Sequence, residues 1–155
     1  MTALTSREEF SVPTIYYIRH GETAWNAEGR LQGVQDIPLN ELGRRQAAHA
    51  GGILADLFAR DGRSERSLAF VASPLGRARS TMELVRGSLK LPPGDYAIDE
   101  RLREIAYGDW EGSTLAQMQV ADPEVFRQAP GREMDGAAAG RRELCPGAGE
   151  GAGLV

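Results

Sequence analysis

The stretch Ile15-Tyr16-Tyr17-Ile18-Arg19-His20-Gly21-Glu22-Thr23 joins an apolar run to a guanidinium and an imidazole. An unbroken apolar run is typical of a strand that is covered on both faces, as in the parallel sheets of α/β proteins. Ligands of such sheets bind at the carboxyl ends of the strands. The stretch therefore predicts a buried first strand over residues 15–18, with Arg19 and His20 on the ligand side of the sheet.

Arg19 and His20 have the chemistry of a phosphate site. A guanidinium can clamp a phosphate with two parallel N–H groups, and an imidazole can attack phosphorus or carry protons. Taken alone, an Arg-His pair also fits two ordinary polar residues at the end of a strand. The segments that follow the other predicted strands decide between these two interpretations.

The sequence after Thr23 predicts alternating helices and strands. A long loop over residues 21–39 leads to Asn40, the predicted N-cap of a helix over residues 41–60. The later elements are a buried strand over residues 68–72, a helix that Pro74 opens and that runs to about Leu89, a weak strand over residues 96–98, and a short helix over residues 115–120 with Ser113 or Thr114 near its cap. Two parallel strands joined by a helix form a right-handed crossover, so the predicted fold class is α/β.

A second candidate site segment, Ser73-Pro74-Leu75-Gly76-Arg77-Ala78-Arg79, again follows a strand and opens a helix. The free N–H groups and the dipole at a helix N-terminus favour an anion, and Arg77 adds a charged fork there. Arg79 is interpreted instead as a solvated residue of the helix surface. Arg77 therefore joins Arg19 as a candidate phosphate ligand.

The third candidate segment, residues 102–112, contains three carboxylates after a strand. A carboxylate beside a leaving oxygen can protonate it and then deprotonate water. Glu104 is the candidate for that role. For Asp109 and Glu111, a structural role in turning the chain around Trp110 is the favoured interpretation.

Composition and charge narrow the class of protein. The net charge is −4 and the basic residues form no blocks, which argues against a nucleic-acid partner. No stretch approaches the roughly 20 apolar residues of a membrane span, so no membrane partner is expected. The single Cys145 forms no internal disulfide, and no Cys/His spacing suits zinc. We expect a cytoplasmic protein that binds no metal.

The domain organisation is predicted as one domain between two irregular ends. Residues 1–12 are expected to be a flexible N-terminus and residues 13–130 the domain. Residues 131–155 form a Gly/Ala-rich tail that cannot bury enough apolar surface to offset chain entropy. We interpret this tail as disordered or aberrant.

Four motifs carry a resemblance to a known family. They are Arg-His-Gly-Glu-Thr-Ala-Trp-Asn at 19–26, the segment 33–43, Ser-Pro-Leu-Gly-Arg-Ala at 73–78, and the segment 102–112. Over roughly residues 13–127 the chain resembles the histidine phosphatase superfamily, also called phosphoglycerate mutase-like. The resemblance implies a three-layer α/β/α fold with a mostly parallel central sheet, incomplete at its C-terminal end.

The resemblance also implies roles for particular residues. It makes His20 the nucleophile that becomes a phosphohistidine, with the Gly21 backbone orienting the ring so that one nitrogen stays free. Arg19 and Arg77 would clamp the phosphoryl oxygens and Glu104 would be the acid/base. Asn26 would be an additional phosphate ligand.

The implied activity is hydrolysis of a small phosphorylated metabolite, with no cofactor and no metal. Phosphoglycerate mutase-type phosphoryl transfer, which is an isomerase activity, remains open as an alternative. So does a catalytically inactive protein that only binds phosphate or a partner. A dinucleotide-binding role is set aside, because no Gly-x-Gly-x-x-Gly follows the first predicted strand.

The sequence departs from the family pattern near its C-terminus. The family's second pocket histidine has no counterpart, since the other histidine, His49, is expected to be a solvated helix residue. We expect the chain after about Met134 to be the truncated or frameshifted end of a longer phosphatase, with activity impaired by the missing half-site. The substrate and the oligomeric state, a homo-oligomer included, are left open.

Overall fold

The computed structural model describes residues 14–124. The described part falls into two compact units, one that ends at Leu115 and one that begins at Ala116. The predictions for residues 1–12 and for the tail after residue 130 lie outside it. The helices and strands are α1 (Ala24–Ala27), α2 (Glu41–Asp61), β1 (Val71–Ala72), α3 (Gly76–Ser88), β2 (Ala97–Ile98) and α4 (Leu115–Ala121), with single 3₁₀ turns at Glu65–Ser67, Glu100–Leu102 and Gly108–Trp110.

Helix α2 begins and ends where its sequence signals place it. The side chain of Asn40 accepts a hydrogen bond from the Gly43 N–H at 2.8 Å, which satisfies one free donor of the first turn. At the other end Gly62 adopts a left-handed φ of 63° and its N–H donates to the Phe58 carbonyl. The predicted helix over residues 41–60 is confirmed.

Helices α2 and α3 pack closely on each other and form the core of the first unit. The buried core cluster consists of Leu54 and Phe58 of α2, Val85 of α3 and Leu89, the C-cap residue of α3. Gly51 permits the close approach, because a Cβ on it would lie 2.7 Å from the Ser88 Cβ. The Tyr16 ring meets the Phe58 ring edge-on at 5.3 Å between centroids, which ties the segment before His20 to this core.

The sheet in the described part of the chain is a parallel pair, β1 beside β2, in the register Val71 to Ala97 and Ala72 to Ile98. Helix α3 joins the two strands, so β1-α3-β2 is a parallel crossover unit, and the weak strand predicted over residues 96–98 is confirmed. The pairing within the predicted strand 68–72 is limited to its last two residues. Ala72 is buried while Val71 is 43% exposed, because α3 packs against one face of this pair.

Residues 15–18 do not form the predicted buried strand. They carry no strand pairing in the described structure. Ile15 is 83% and Tyr17 is 87% exposed, while Tyr16 between them packs on the core. This alternation is that of an extended chain with one face covered. The expectation that both faces are covered was wrong, because burial of a strand depends on its neighbours and not on its own composition.

The chain crosses the start of α2 immediately after His20. The Asn40 N–H donates to the Glu22 carbonyl at 2.9 Å, and the backbones at Gly21 and Gly43 touch. A Cβ on Gly21 would overlap the Gly43 carbonyl oxygen, and a Cβ on Gly43 would overlap the Glu22 carbonyl oxygen. Glycine is required at both positions by this close approach, which fixes where the catalytic candidate His20 lies relative to α2.

Two glycine substitutions within α2 should therefore have opposite effects. Gly43→Ala should lower the free energy of unfolding by about 1–3 kcal/mol, because the new methyl group collides with backbone that cannot give way. Gly52→Ala, in the middle of the same helix and with open space at its Cβ position, should raise it by roughly 0.5–1 kcal/mol through helix propensity. Urea unfolding followed by circular dichroism measures both. A Gly43→Ala protein as stable as wild type would contradict the crossing.

Candidate active site

His20 is half-buried, and its ring is fixed by the backbone next to it. The Nδ1 atom lies 2.8 Å from the carbonyl oxygen of Gly21. A carbonyl oxygen only accepts, so Nδ1 carries the proton and donates it, and Nε2 keeps its lone pair. This agrees with the prediction that the Gly21 backbone selects the tautomer with one free nitrogen.

The surroundings of His20 favour its neutral form. Burial lowers the pKa of His20 below its ordinary value, the hydrogen bond to Gly21 opposes this, and the positive charges of Arg77 and Arg19 lower the pKa further. The negative charge of Glu104 acts in the opposite direction. The charges that act on His20 are thus those of the three residues that the sequence grouped with it. A neutral imidazole is the form that can act as a nucleophile.

This lowered pKa predicts a pH dependence. An unfolded imidazole takes up its proton near pH 6.5 and the folded His20 does so at a lower pH. Between these two values the unfolded chain binds more protons, so acidification below about pH 6.5 should destabilise the folded protein through this group. An NMR titration of the imidazole signals, assigned with a His20→Asn variant, should place the His20 midpoint below 6.5. A midpoint above 6.5 would contradict the assignment of burial as the dominant cause.

Thr81 holds the backbone that follows His20. The Gly21 N–H donates to Thr81 Oγ1 at 3.1 Å, and Thr81 Oγ1 donates to the Arg77 carbonyl at 2.9 Å. Thr81 is buried and lies one turn after Arg77 on α3. Thr81 was not among the predicted site residues, although its four-residue spacing from Arg77 places both on the same face of the predicted helix.

Arg77 is buried in the first turn of α3, with 2% of its surface exposed. Its Nη1 donates to the Gln35 carbonyl at 2.7 Å and its Nη2 to the Gly33 carbonyl at 2.9 Å. Among the buried side-chain nitrogen and oxygen atoms of the described residues, Arg77 Nε alone has no hydrogen-bond partner. Burial lowers the pKa of Arg77, while the charges of Glu104 and Asp36 act to raise it. An oxyanion beside Nε would satisfy this donor.

The other predicted phosphate-site residues are less enclosed. Arg19 and Glu104 are exposed, and Glu104 Oε1 accepts the Ile105 N–H at 3.1 Å. Asn26 is half-buried in α1, where its Oδ1 accepts the Thr23 N–H at 3.1 Å and completes a capping box. These bonds leave the amide nitrogen of Asn26 as its donor toward a ligand.

Four residues that were predicted to lie outside the phosphate site are either exposed or bonded to other segments of the chain. His49 is an exposed residue of α2, as expected. Arg79 is exposed and hydrogen-bonds to Tyr96, whose contact raises the pKa of Arg79. Asp109 is exposed in a 3₁₀ turn, and Glu111 ties that turn to the loop before α2 by accepting the Val34 N–H at 3.0 Å. Glu111 Oε1 also accepts the Tyr107 N–H at 3.2 Å across Trp110, in agreement with the predicted role in turning the chain there.

Asp36 in the same loop caps α3. Leu75, at the N-cap position, makes no side-chain capping bond, and Asp36 Oδ1 instead accepts the Gly76 N–H at 2.7 Å. The loop over residues 33–36 is therefore fixed to the N-terminus of the helix that carries Arg77. No local sequence pattern predicts this contact, because the two residues lie 40 positions apart.

Two further observations bear on what this part of the chain can bind. No group of three or more His, Cys, Asp or Glu within residues 14–124 could hold a metal ion. None of the helices in this range is long and apolar enough to cross a membrane.

A histidine with one free nitrogen in the electrostatic field of a buried arginine is the central feature of this candidate site, and the family comparison bears on it. The model of the histidine phosphatase superfamily (branch 1) matches residues 15–146. The chain belongs to the histidine phosphatase superfamily. The family expected from the four sequence motifs is confirmed.

Curated relatives carry both phosphatase and mutase names. The chain is 37% identical over 112 residues to the glucosyl-3-phosphoglycerate phosphatase of Mycolicibacterium vanbaalenii. The aligned residues cover 72% of this chain and 45% of that protein. It is 38% identical over 107 residues to the "Uncharacterized phosphatase PhoE" of Bacillus subtilis, covering 69% of this chain and 50% of that protein. It is 34% identical over 122 residues to the "Probable phosphoglycerate mutase GpmB" of Salmonella paratyphi C, covering 79% of this chain and 52% of that protein. The chain spans about half the length of these relatives.

Solved structures show the same similarity. The native mycobacterial glucosyl-3-phosphoglycerate phosphatase has a TM-score of 0.56 and 35% identity, covering 70% of this chain and 46% of that one. YhfR of Bacillus stearothermophilus has a TM-score of 0.55 and 41% identity, covering 74% of this chain and 55% of that one. These matches confirm the predicted α/β fold class of the phosphoglycerate mutase-like kind.

Proposed function

We propose that this protein hydrolyses phosphomonoesters of small metabolites through a phosphohistidine formed on His20. The observation that carries the proposal is the half-buried imidazole, whose Nδ1 is occupied by the Gly21 carbonyl and whose Nε2 is free, in the field of two arginines and a carboxylate. Nucleophile, cationic ligands and acid/base are the groups that such a reaction requires.

The first chemical step is attack of Nε2 on phosphorus. A P–N bond forms while the P–O bond to the leaving alcohol breaks, and Glu104, after taking up a proton from solvent, gives that proton to the departing oxygen. Arg77, Arg19 and the Asn26 amide bind the phosphoryl oxygens and stabilise the charge that develops on them. In the second step water attacks phosphorus, Glu104 takes the proton of that water, the P–N bond breaks, and inorganic phosphate leaves.

The relatives support hydrolysis as the reaction class, since two of them are named phosphatases. The segment from Tyr107 to Gly112 is also similar to the phosphatase branch of the family, and the described chain has no long insertion that would close over a bisphosphorylated intermediate. The substrate class, a small phosphorylated metabolite, is part of the proposal. A reducing cytoplasm is the proposed compartment, in keeping with the single Cys145.

Phosphoglycerate mutase-type transfer is the second candidate, because a relative is named as a mutase. The two reactions differ in whether phosphate is released. We expect phosphate release from p-nitrophenyl phosphate and no conversion of 3-phosphoglycerate to 2-phosphoglycerate in an enolase-coupled assay. Isomerisation without release of phosphate would overturn the hydrolase proposal in favour of the mutase.

A non-catalytic phosphate-binding protein is the third candidate, since an oxyanion could satisfy the buried, unpartnered Nε–H of Arg77 without any turnover. Mass spectrometry after incubation with p-nitrophenyl phosphate and an alkaline denaturing quench, in which phosphohistidine is stable, separates catalysis from binding alone. A protein that binds phosphate but never carries it on His20 would be the binder.

A further inference from the structure

The peptide group that joins Gly33 to Val34 lies between a guanidinium and a carboxylate. Its carbonyl oxygen accepts from Arg77 Nη2 at 2.9 Å, and its N–H donates to Glu111 Oε1 at 3.0 Å. The negative end of the amide dipole thus meets the cation and the positive end meets the anion. Each of the two hydrogen bonds polarises the amide in the direction that strengthens the other.

Gln35 makes a second connection between the same two charges. Its carbonyl oxygen accepts from Arg77 Nη1 at 2.7 Å, and its side-chain Nε2 donates to Glu111 Oε2 at 2.8 Å. Each terminal nitrogen of Arg77 therefore donates to a carbonyl of the loop, and Glu111 accepts a hydrogen bond from the same peptide group in one case and from the same residue in the other. A guanidinium has five N–H groups, and these two bonds leave three, including the unpartnered Nε–H.

The local backbone is shaped for this arrangement. Gly33 has a φ of 53°, a left-handed conformation that favours glycine, and a Cβ there would overlap Glu111 Oε1. Glu111 Oε1 also accepts the Tyr107 N–H at 3.2 Å, which fixes the carboxylate to its own segment. The hydrogen bond from Val34 lowers the pKa of Glu111 most, followed by that from Gln35. Glu111 is accordingly ionised at neutral pH.

We infer that Glu111 is a positioning residue for Arg77, acting through the Gly33–Val34 peptide and Gln35 to orient the guanidinium toward a phosphate. This inference rests on the proposed function, in which Arg77 binds the phosphoryl oxygens. Glu111 does not touch the phosphate itself. An arginine has considerable rotamer freedom, and fixing both of its terminal nitrogens in advance removes an ordering cost from phosphate binding.

The test compares Glu111→Gln with Asp109→Asn, which removes the same charge from an exposed residue two positions away. Calorimetry with inorganic phosphate should show a dissociation constant about tenfold higher for Glu111→Gln, the size expected for directly coupled groups, and a change of less than about twofold for Asp109→Asn. For p-nitrophenyl phosphate, KM should rise with the dissociation constant while kcat falls less. Gln35→Ala removes only the hydrogen bond from Gln35 Nε2 to Glu111. It should raise the dissociation constant for phosphate by a smaller factor than Glu111→Gln, and it replaces Glu111→Gln as the test if that variant does not fold.

A double-mutant cycle separates positioning from a general structural role. In an Arg77→Lys background, which keeps the charge but lacks the fork, Glu111→Gln should change phosphate affinity by less than about twofold. In the wild-type background the amide proton of Val34 should also shift upfield on Glu111→Gln substitution, as its charge-assisted hydrogen bond weakens.

The outcomes distinguish this inference from the proposed function. Equal phosphate affinity in wild type and Glu111→Gln, or an undiminished effect in the Arg77→Lys background, would overturn the positioning role while leaving hydrolysis at His20 intact. A wild-type protein that binds phosphate but is never labelled on His20 would refute the hydrolase. The positioning role would then be decided by the phosphate affinities of the Glu111→Gln and Gln35→Ala variants alone. A wild-type protein that binds no phosphate would overturn both.

Discussion

Replacing His20 with alanine should lower kcat for p-nitrophenyl phosphate on the order of 10⁴-fold or more, because removing a nucleophile leaves only binding and charge stabilisation to act on the bound ester. The same substitution should remove the acid-labile phosphoryl label from the peptide that contains residue 20. A malachite green assay for phosphate and mass spectrometry after an alkaline denaturing quench, in which phosphohistidine is stable, measure the two effects. His20 is half-buried at the chain crossing, so a thermal melt should accompany them.

The matched control is His49→Ala. The chain has two histidines, and His49 lies exposed on α2. We expect this variant to retain wild-type kcat and wild-type labelling. Comparable loss of activity in both variants would show that His20 is not the nucleophile, and the proposed mechanism would have to be abandoned.

The second large effect is expected at Arg77. Arg77→Lys should lower kcat/KM by about 10²–10³-fold, since a single ammonium cannot reproduce a fork that is aimed at developing charge. It should also lower the free energy of unfolding by about 1–3 kcal/mol, because one amine cannot serve the buried Gly33 and Gln35 carbonyls as two nitrogens do. Steady-state kinetics and urea unfolding report the two quantities separately.

Arg79→Lys is the control for Arg77→Lys. Arg79 lies two residues further along α3 and is exposed, so the same chemical change should leave kcat/KM within about twofold of wild type. A loss of stability at Arg77 without a loss of kcat/KM would mean that its guanidinium organises the loop and takes no part in binding phosphate.

Local signals allowed several elements to be predicted from sequence. Asn40 and Gly62 bound α2 because each satisfies backbone groups of its own helix, and such contacts are encoded within a few residues. The first strand was mispredicted because its burial depends on distant partners. Tyr16 packs on the Phe58 ring in the core of the first unit, whereas Ile15 and Tyr17 are exposed.

In the candidate site, too, contacts between neighbouring residues could be predicted from the sequence and contacts between distant residues could not. The orientation of His20 by Gly21 involves adjacent residues and could be anticipated. The link between Glu111 and the loop at Val34 and Gln35 joins residues 76 and 77 positions apart, and it exists only once the fold brings two irregular segments together. Sequence patterns of helical or strand period carry no information about such contacts.

The hydrogen bond from His20 Nδ1 to the Gly21 carbonyl also determines regiochemistry. A phosphoryl group acquired by this ring must be attached to Nε2, which gives the τ isomer of phosphohistidine and not the π isomer. Antibodies that discriminate between the two isomers should therefore recognise the trapped intermediate only with the τ-specific reagent. In the proposed mechanism, one backbone carbonyl thus decides which of two covalent adducts forms.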